Sequence, residues 1–118
     1  LLLYSQGKYD EAMPYYTEEL EASRRVLGDE HPSTLISIHN MGTLLRDQGK
    51  YDEALSYYTE ALEGRRRVLG GEHPDTHESI NIMIRLHDAW HEAEPDAGHD
   101  AKAAEYRALL EELSPSDD

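Results

Sequence analysis

The 118-residue chain has no cysteine and no phenylalanine, and its only valines are Val26 and Val68. Without a thiol there is no disulfide, no thiolate metal site and no cysteine nucleophile. Little valine and no phenylalanine, beside plentiful Ala, Leu, Glu and Arg, make a composition that favours helices over strands. Basic residues are few: 11 Lys and Arg stand against 25 Asp and Glu, a formal net charge of -14. Such a surface repels polyanions, so nucleic acid and anionic membranes are excluded as partners. Long apolar runs are also missing, the longest being Leu1 to Leu3. Neither a membrane span nor a secretory leader is expected, and the expected compartment is the cytoplasm. The length suits one domain, provided that helices or repeats divide up a modest core.

What the chain does have is an internal repeat. Val26 and Val68 lie 42 residues apart, and the same offset pairs Gly7-Lys8-Tyr9-Asp10-Glu11-Ala12 with Gly49-Lys50-Tyr51-Asp52-Glu53-Ala54. It also pairs Tyr15-Tyr16 with Tyr57-Tyr58, and Arg24-Arg25-Val26-Leu27-Gly28 with Arg66-Arg67-Val68-Leu69-Gly70. Of the 28 positions from 7 to 34, 21 are identical in the second copy. A third, degraded copy follows at an offset of 49, matching Gly49 to Gly98, Ala54 to Ala103 and Tyr57 to Tyr106, with seven residues inserted around Ala89 to Pro95. Self-similarity at a fixed period signifies stacked supersecondary units, each too small to bury its own apolar face.

Within a unit, Leu35, Ile38, Met41, Gly42 and Leu45 recur at steps of three and four, one face of a helix ending near Gln48-Gly49. Asp52 is a suitable N-cap for the next helix, whose buried stripe is expected to be Ala54, Tyr57, Tyr58, Ala61, Leu62 and Leu69 before Gly70-Gly71 stops it. Pro74 then suits a first turn whose N–H groups lack intrahelical partners. Helices are predicted at 10–27, 33–48, 52–69, 75–93 and 101–113, with a short one at 1–6. The repeat domain spans 1–113, as a partial unit 1–32, a full unit 33–74 and an atypical capping unit 75–113. Residues 114–118 form a frayed tail.

These residues resemble the tetratricopeptide repeat, in its lengthened kinesin light chain-like form. The likeness rests on Gly42 and Ala54 where paired helices cross, on Tyr51 after the turn, on Tyr58 and Ala61 further along, and on the junction Leu69-Gly70-Gly71-Glu72-His73-Pro74. It implies an all-α fold, a right-handed α-solenoid of antiparallel helix pairs. The first unit starts half-way through its first helix, so a C-terminal piece of a longer array is expected. In the third unit Ile84 stands in place of Gly42 and Ile82 in place of Asn40, which implies different helix packing.

Function in this family implies a concave wall built mainly from the first helix of each pair. By that resemblance the peptide-binding residues are Ile36, His39, Asn40, Thr43, Arg46 and Asp47, then Glu78, Asn81, Arg85 and Asp88. The three-four spacing independently puts 36, 39, 43 and 46, and 78, 81, 85 and 88, opposite the apolar stripe. Asn donates and accepts at once, so Asn40 and Asn81 suit the backbone of an extended peptide, although the same rows also fit a solvated helix face. The partner expected is a protein or peptide, basic or neutral, and self-association through the exposed N-terminal leucines is a further expectation. The lysine-rich clamp for a C-terminal carboxylate is missing.

Three sharper motifs compete with blander readings. His87 and His91, one turn apart with Asp88 and Glu92, resemble a zinc-hydrolase helix, but His87 replaces the buried Leu45 of the preceding unit and no third ligand is identifiable. His73 and His77 have a similar spacing, yet His73 repeats His31 at the junction, which makes it structural. Arg65-Arg66-Arg67 follows Glu60 and Glu63, as expected of a solvated face with intrahelical pairs. No catalytic constellation, metal site or cofactor motif stands out, so the chain is read as a non-catalytic binding module. The alternative is a structural or oligomerising element that positions a neighbouring catalytic domain.

Overall fold

The computed structural model describes residues 2–114. Among them the regular elements are six α-helices: α1 (Leu2–Ser5), α2 (Tyr9–Leu27), α3 (Pro32–Asp47), α4 (Tyr51–Leu69), α5 (Pro74–Ala93) and α6 (His99–Leu113). The five long helices lie within one or two residues of their predicted bounds. Beyond Ser114, the predicted tail lies outside the described residues.

The close agreement at helix ends has a local cause. At the end of α3, the N–H of Lys50 donates to the carbonyl of Leu45 (2.9 Å) and that of Gly49 to Arg46 (2.9 Å). Gly49 has φ +80°, the left-handed value that this crossed closure requires and that glycine adopts without a Cβ penalty. At the start of α3, His31 Nδ1 accepts from the N–H of Ser33 (3.1 Å), and at the start of α5, His73 Nδ1 accepts from that of Asp75 (3.0 Å). The repeated His-Pro thus supplies an acceptor at the cap and a proline in the first turn. Asp52 is not the cap that the sequence suggested. Helix α4 already begins at Tyr51, and Asp52 Oδ1, inside the first turn, accepts from the N–H of Glu53 (2.9 Å).

The chain folds as two compact units, Leu1–Gly64 and Arg65–Asp118. In the first, α1 rests on α2 through edge-on contacts of Tyr4 with Tyr9 and Tyr16. Helices α2 and α3 run antiparallel. Gln48 Nε2, at the end of α3, donates to Asp10 Oδ1 near the start of α2 (2.6 Å), and Thr34 Oγ1, at the start of α3, donates to the carbonyl of Ser23 late in α2 (3.3 Å). The core consists of Ala12, Leu20, Leu35, Ile38, Met41, Leu44, Leu45, Ala54, Tyr58, Ala61 and Leu62. Tyr57, expected in the buried stripe of α4, is half-exposed, as is Leu69.

In the second unit α5 and α6 are antiparallel, since Arg107 Nη2 in the middle of α6 reaches Asp88 Oδ2 late in α5 (2.6 Å), and Leu113 lies against Gly71 just ahead of α5. Its core is Ile80, Ile82, Met83, Ile84, Leu86 and Ala103. Arg65 departs from the expected solvated arginine run. It is 5% exposed, and its Nη1 donates to Ser79 Oγ (2.8 Å) and to the carbonyl of Asp75 (3.1 Å). Nor does Glu60 pair within its own helix, because both its carboxylate oxygens accept from Arg24 of α2, at 2.7 and 3.0 Å.

Candidate functional site

In the first unit the expected binding row lies on α3. Ile36 is 51% exposed, while His39, Asn40, Thr43, Arg46 and Asp47 are half-buried. Several of these side chains serve the fold. The Thr43 and Tyr58 hydroxyls are 2.7 Å apart in a hydrogen bond, and the His39 ring leans on Tyr58 with centroids 5.4 Å apart. Arg46 donates to the neighbouring Asp47 through Nε (3.3 Å) and Nη2 (3.2 Å). Partial burial pushes the Asp47 carboxyl above its ordinary range. Asp47 also lines a cavity of about 510 Å³ with Gln48, Lys50 and residues 7–11, at the end where α3 turns into α4.

In the second unit Glu78, Asn81 and Arg85 are all exposed on α5. They line one hollow of about 480 Å³ together with Glu72, Pro74, His77 and Ile82. His77 adds an imidazole whose Nε2 is shielded from solvent and has no hydrogen-bond partner among the described residues. Asp88, the fourth expected residue, points elsewhere and is bound by Arg107 of α6. The hollow therefore brings together three of the four expected residues and adds Glu72 and His77, which the sequence reading had not placed there. The signal for His77 was present, since residues 74, 77 and 78 follow the same three-four step as 81 and 85, whereas Glu72 precedes the helix and no periodicity marks it.

The histidine-rich end of α5 is a packed stack. His87 is 3% exposed, and its ring lies nearly parallel to those of Trp90 (5.9 Å between centroids), His99 (5.4 Å) and Tyr106 (5.7 Å). Among the described residues no three His, Asp or Glu side chains converge on a point that could hold a metal ion. Sequence reasoning also missed a hollow of about 350 Å³ in the first unit, lined by Met13, Thr17, Leu20, Glu21 and Arg24 of α2, Met41 and Leu45 of α3, and Glu53 and Tyr57 of α4. No described helix is long and apolar enough to cross a membrane.

Antiparallel helix pairs repeating at 42 residues, joined by glycine-closed turns, define a helical-repeat protein. The family model described as Tetratricopeptide repeat matches residues 1–67 and again 36–81, so the chain belongs to the tetratricopeptide repeat family. This is a non-catalytic interaction fold whose repeats generally mediate protein–protein contacts. Among solved structures, a Podosopora anserina protein described as a kinesin light chain with nearly identical TPR-like repeats is similar over 94% of this chain, with a TM-score of 0.75 and 21% sequence identity. The match takes in 49% of that protein, about half its length. No curated protein sequence matches the chain.

Proposed function

We propose that this chain is a non-catalytic module that takes up an extended peptide segment of a partner protein on the exposed faces of the first helices of its pairs. The observation that carries this reading is the α5 row: Glu78, Asn81 and Arg85 stand exposed around one hollow, with an amide to meet peptide backbone and charges of both signs to meet side chains. On α3, Ile36 and Asn40 are the residues proposed for contact. Thr43 and Asp88, already bonded to Tyr58 and Arg107, are proposed to hold these faces in place.

Charge favours a basic or neutral segment. Residues 1–71 carry 8 basic and 12 acidic side chains, a net -4, whereas residues 72–118 carry 3 and 13, a net -10. The hollow itself has Glu72 and Glu78 against Arg85. The domain boundaries proposed are 1–32, 33–74 and 75–113, with the last unit closing the stack. In its support, α6 exposes Lys102, Glu105, Arg107, Glu111 and Glu112 and buries only Ala103, the polar outer face that a closing repeat needs. A peptide array of basic, neutral and acidic 12-residue sequences tests the reading. Capture of basic or neutral peptides that Asn81→Ala and Glu78→Ala both weaken supports it, and a row of peptides bound equally by the double variant overturns it.

A further inference from the structure

The pair that joins α5 to α6 at the histidine-rich end has a property that the repeat does not otherwise possess. His87 Nδ1 and His99 Nδ1 lie 3.3 Å apart, within hydrogen-bond distance, so one nitrogen carries the hydrogen and the other must accept it. The 42-residue repeat puts His87 at the position of Leu45, and both are 3% exposed. An imidazole therefore occupies a site where the fold elsewhere uses a leucine. We propose that His87 and His99 form a proton-operated clasp that holds α6 on α5 and that opens when both imidazoles are protonated.

The atoms allow one added proton but not two. With both rings neutral, His99 Nδ1–H can donate to His87 Nδ1. A proton on His99 Nε2 would leave that bond intact and face Glu94 Oε2, 4.0 Å away, with the His99 and Trp90 rings stacked at 3.9 Å between centroids. A second proton must go to His87 Nδ1. It removes the acceptor and sets two imidazolium ions against each other inside a stack closed by Trp90 and Tyr106.

The charged surroundings do not cancel this. From α6, Lys102 opposes a charge on His87 and Glu105 favours it; from α5, Asp88 favours it, but Asp88 is shared with Arg107. His91 Nδ1, shielded from solvent on a half-buried ring, lies 4.0 Å from Asp100 Oδ1 of α6, beyond hydrogen-bond reach, and the Asp100 side chain is exposed, so water screens that contact. Within this unit α4 contributes Arg65, which is committed to Ser79, eight residues or about 12 Å along α5 from His87. Burial first, and then the charge of His99, hold the His87 imidazole below its ordinary value near 6.5. With α6 detached, His87 regains that value. The clasp is then at full strength above about pH 6.5 and weakens as the pH falls from there through the lower value of the packed state.

Amide hydrogen exchange of the whole chain at pH 7.5, 6.5 and 5.5, corrected for intrinsic exchange rates and run in EDTA, tests the clasp. Protection of residues 99–113 should fall several-fold between pH 7.5 and 5.5, up to the ceiling of about tenfold that one imidazole released to a value near 6.5 can give, while that of α2 and α3 changes far less. In His87→Leu, which restores the residue of the preceding unit, protection of α6 should no longer respond to pH over this range. His99→Gln can still donate to a neutral His87 but removes the second charge, so it should shrink the response even if the leucine variant packs poorly. Unchanged protection in the parent chain, or an equal fall in both variants, overturns the clasp. A response seen only without EDTA would assign the pair to a bound metal and equally overturn it.

Discussion

Tyr58 lies against Gly42: a Cβ built on Gly42 would stand 2.8 Å from Tyr58 Cδ1 and 2.9 Å from Cε1. The ring cannot retreat easily, because Tyr58 is 1% exposed and its hydroxyl is held by Thr43. Gly42→Ala gains about 1 kcal/mol of helix propensity, whereas overpacking a core costs about 1 to 3 kcal/mol. The clash should win. We expect Gly42→Ala to lower the urea-unfolding free energy by about 1 kcal/mol and Gly42→Ala/Tyr58→Leu to lose less than the two single changes together. Additive losses would mean that the two residues do not act as a pair.

A second stability prediction concerns Arg65, which in the first repeat corresponds to Ser23. Its buried guanidinium serves both Ser79 Oγ and the carbonyl of Asp75 at the first turn of α5. Truncation leaves these acceptors without their donor, and hydrogen bonds from a charged group are worth about 1.5 to 3 kcal/mol. Arg65→Ser should therefore destabilise the second unit by roughly 2 kcal/mol, while Arg66→Ser, on the exposed face, should stay within about 0.5 kcal/mol. Chemical denaturation of both variants measures this. Equal effects would return Arg65 to the solvated face that the sequence suggested.

These residues also show what a sequence carries and what it does not. Helix bounds were legible because their signals are local: Gly49 closing α3, and Pro32 and Pro74 opening α3 and α5. The buried row Leu35, Ile38, Met41 and Leu45 was legible because periodicity alone places it on one face. Arg65 was not, since three adjacent arginines look alike until Ser79 arrives from another helix. The same is true of Asp88 with Arg107 and of Thr43 with Tyr58, partners 19 and 15 residues apart in the chain. The histidine caps escaped notice because imidazole is an uncommon cap, although its occurrence at both 31 and 73 already pointed to a structural role.

The concentration of negative charge beyond residue 71 leads to a kinetic prediction for the proposed peptide site. A basic 12-residue peptide should associate faster than its acidic counterpart, and its rate should fall as salt rises from about 10 to 150 mM, where exposed charges are screened over about 8 Å. Dissociation should change less. Stopped-flow fluorescence with a labelled peptide measures both rates, and a salt-independent association rate would remove charge from the account of partner choice.

Asn40 offers the sharpest test of the α3 face. It is half-buried, flanked by His39 leaning on Tyr58, and its row includes Arg46, already engaged with Asp47. If a peptide backbone lies along this face, the Asn40 amide meets both a donor and an acceptor that binding removes from water. Losing such a buried partner costs about 1 to 3 kcal/mol, against less than about 1 kcal/mol for an exposed charge pair. For the best binder from the peptide array, Asn40→Ala should weaken affinity about tenfold or more, equivalent to about 1.4 kcal/mol, and Arg46→Ala should do less. Calorimetry of binding beside a thermal melt separates the two roles open to Asn40. Weakened binding at an unchanged melting temperature places it in the contact surface. Unchanged binding at a lowered melting temperature makes it a residue that holds the helices together.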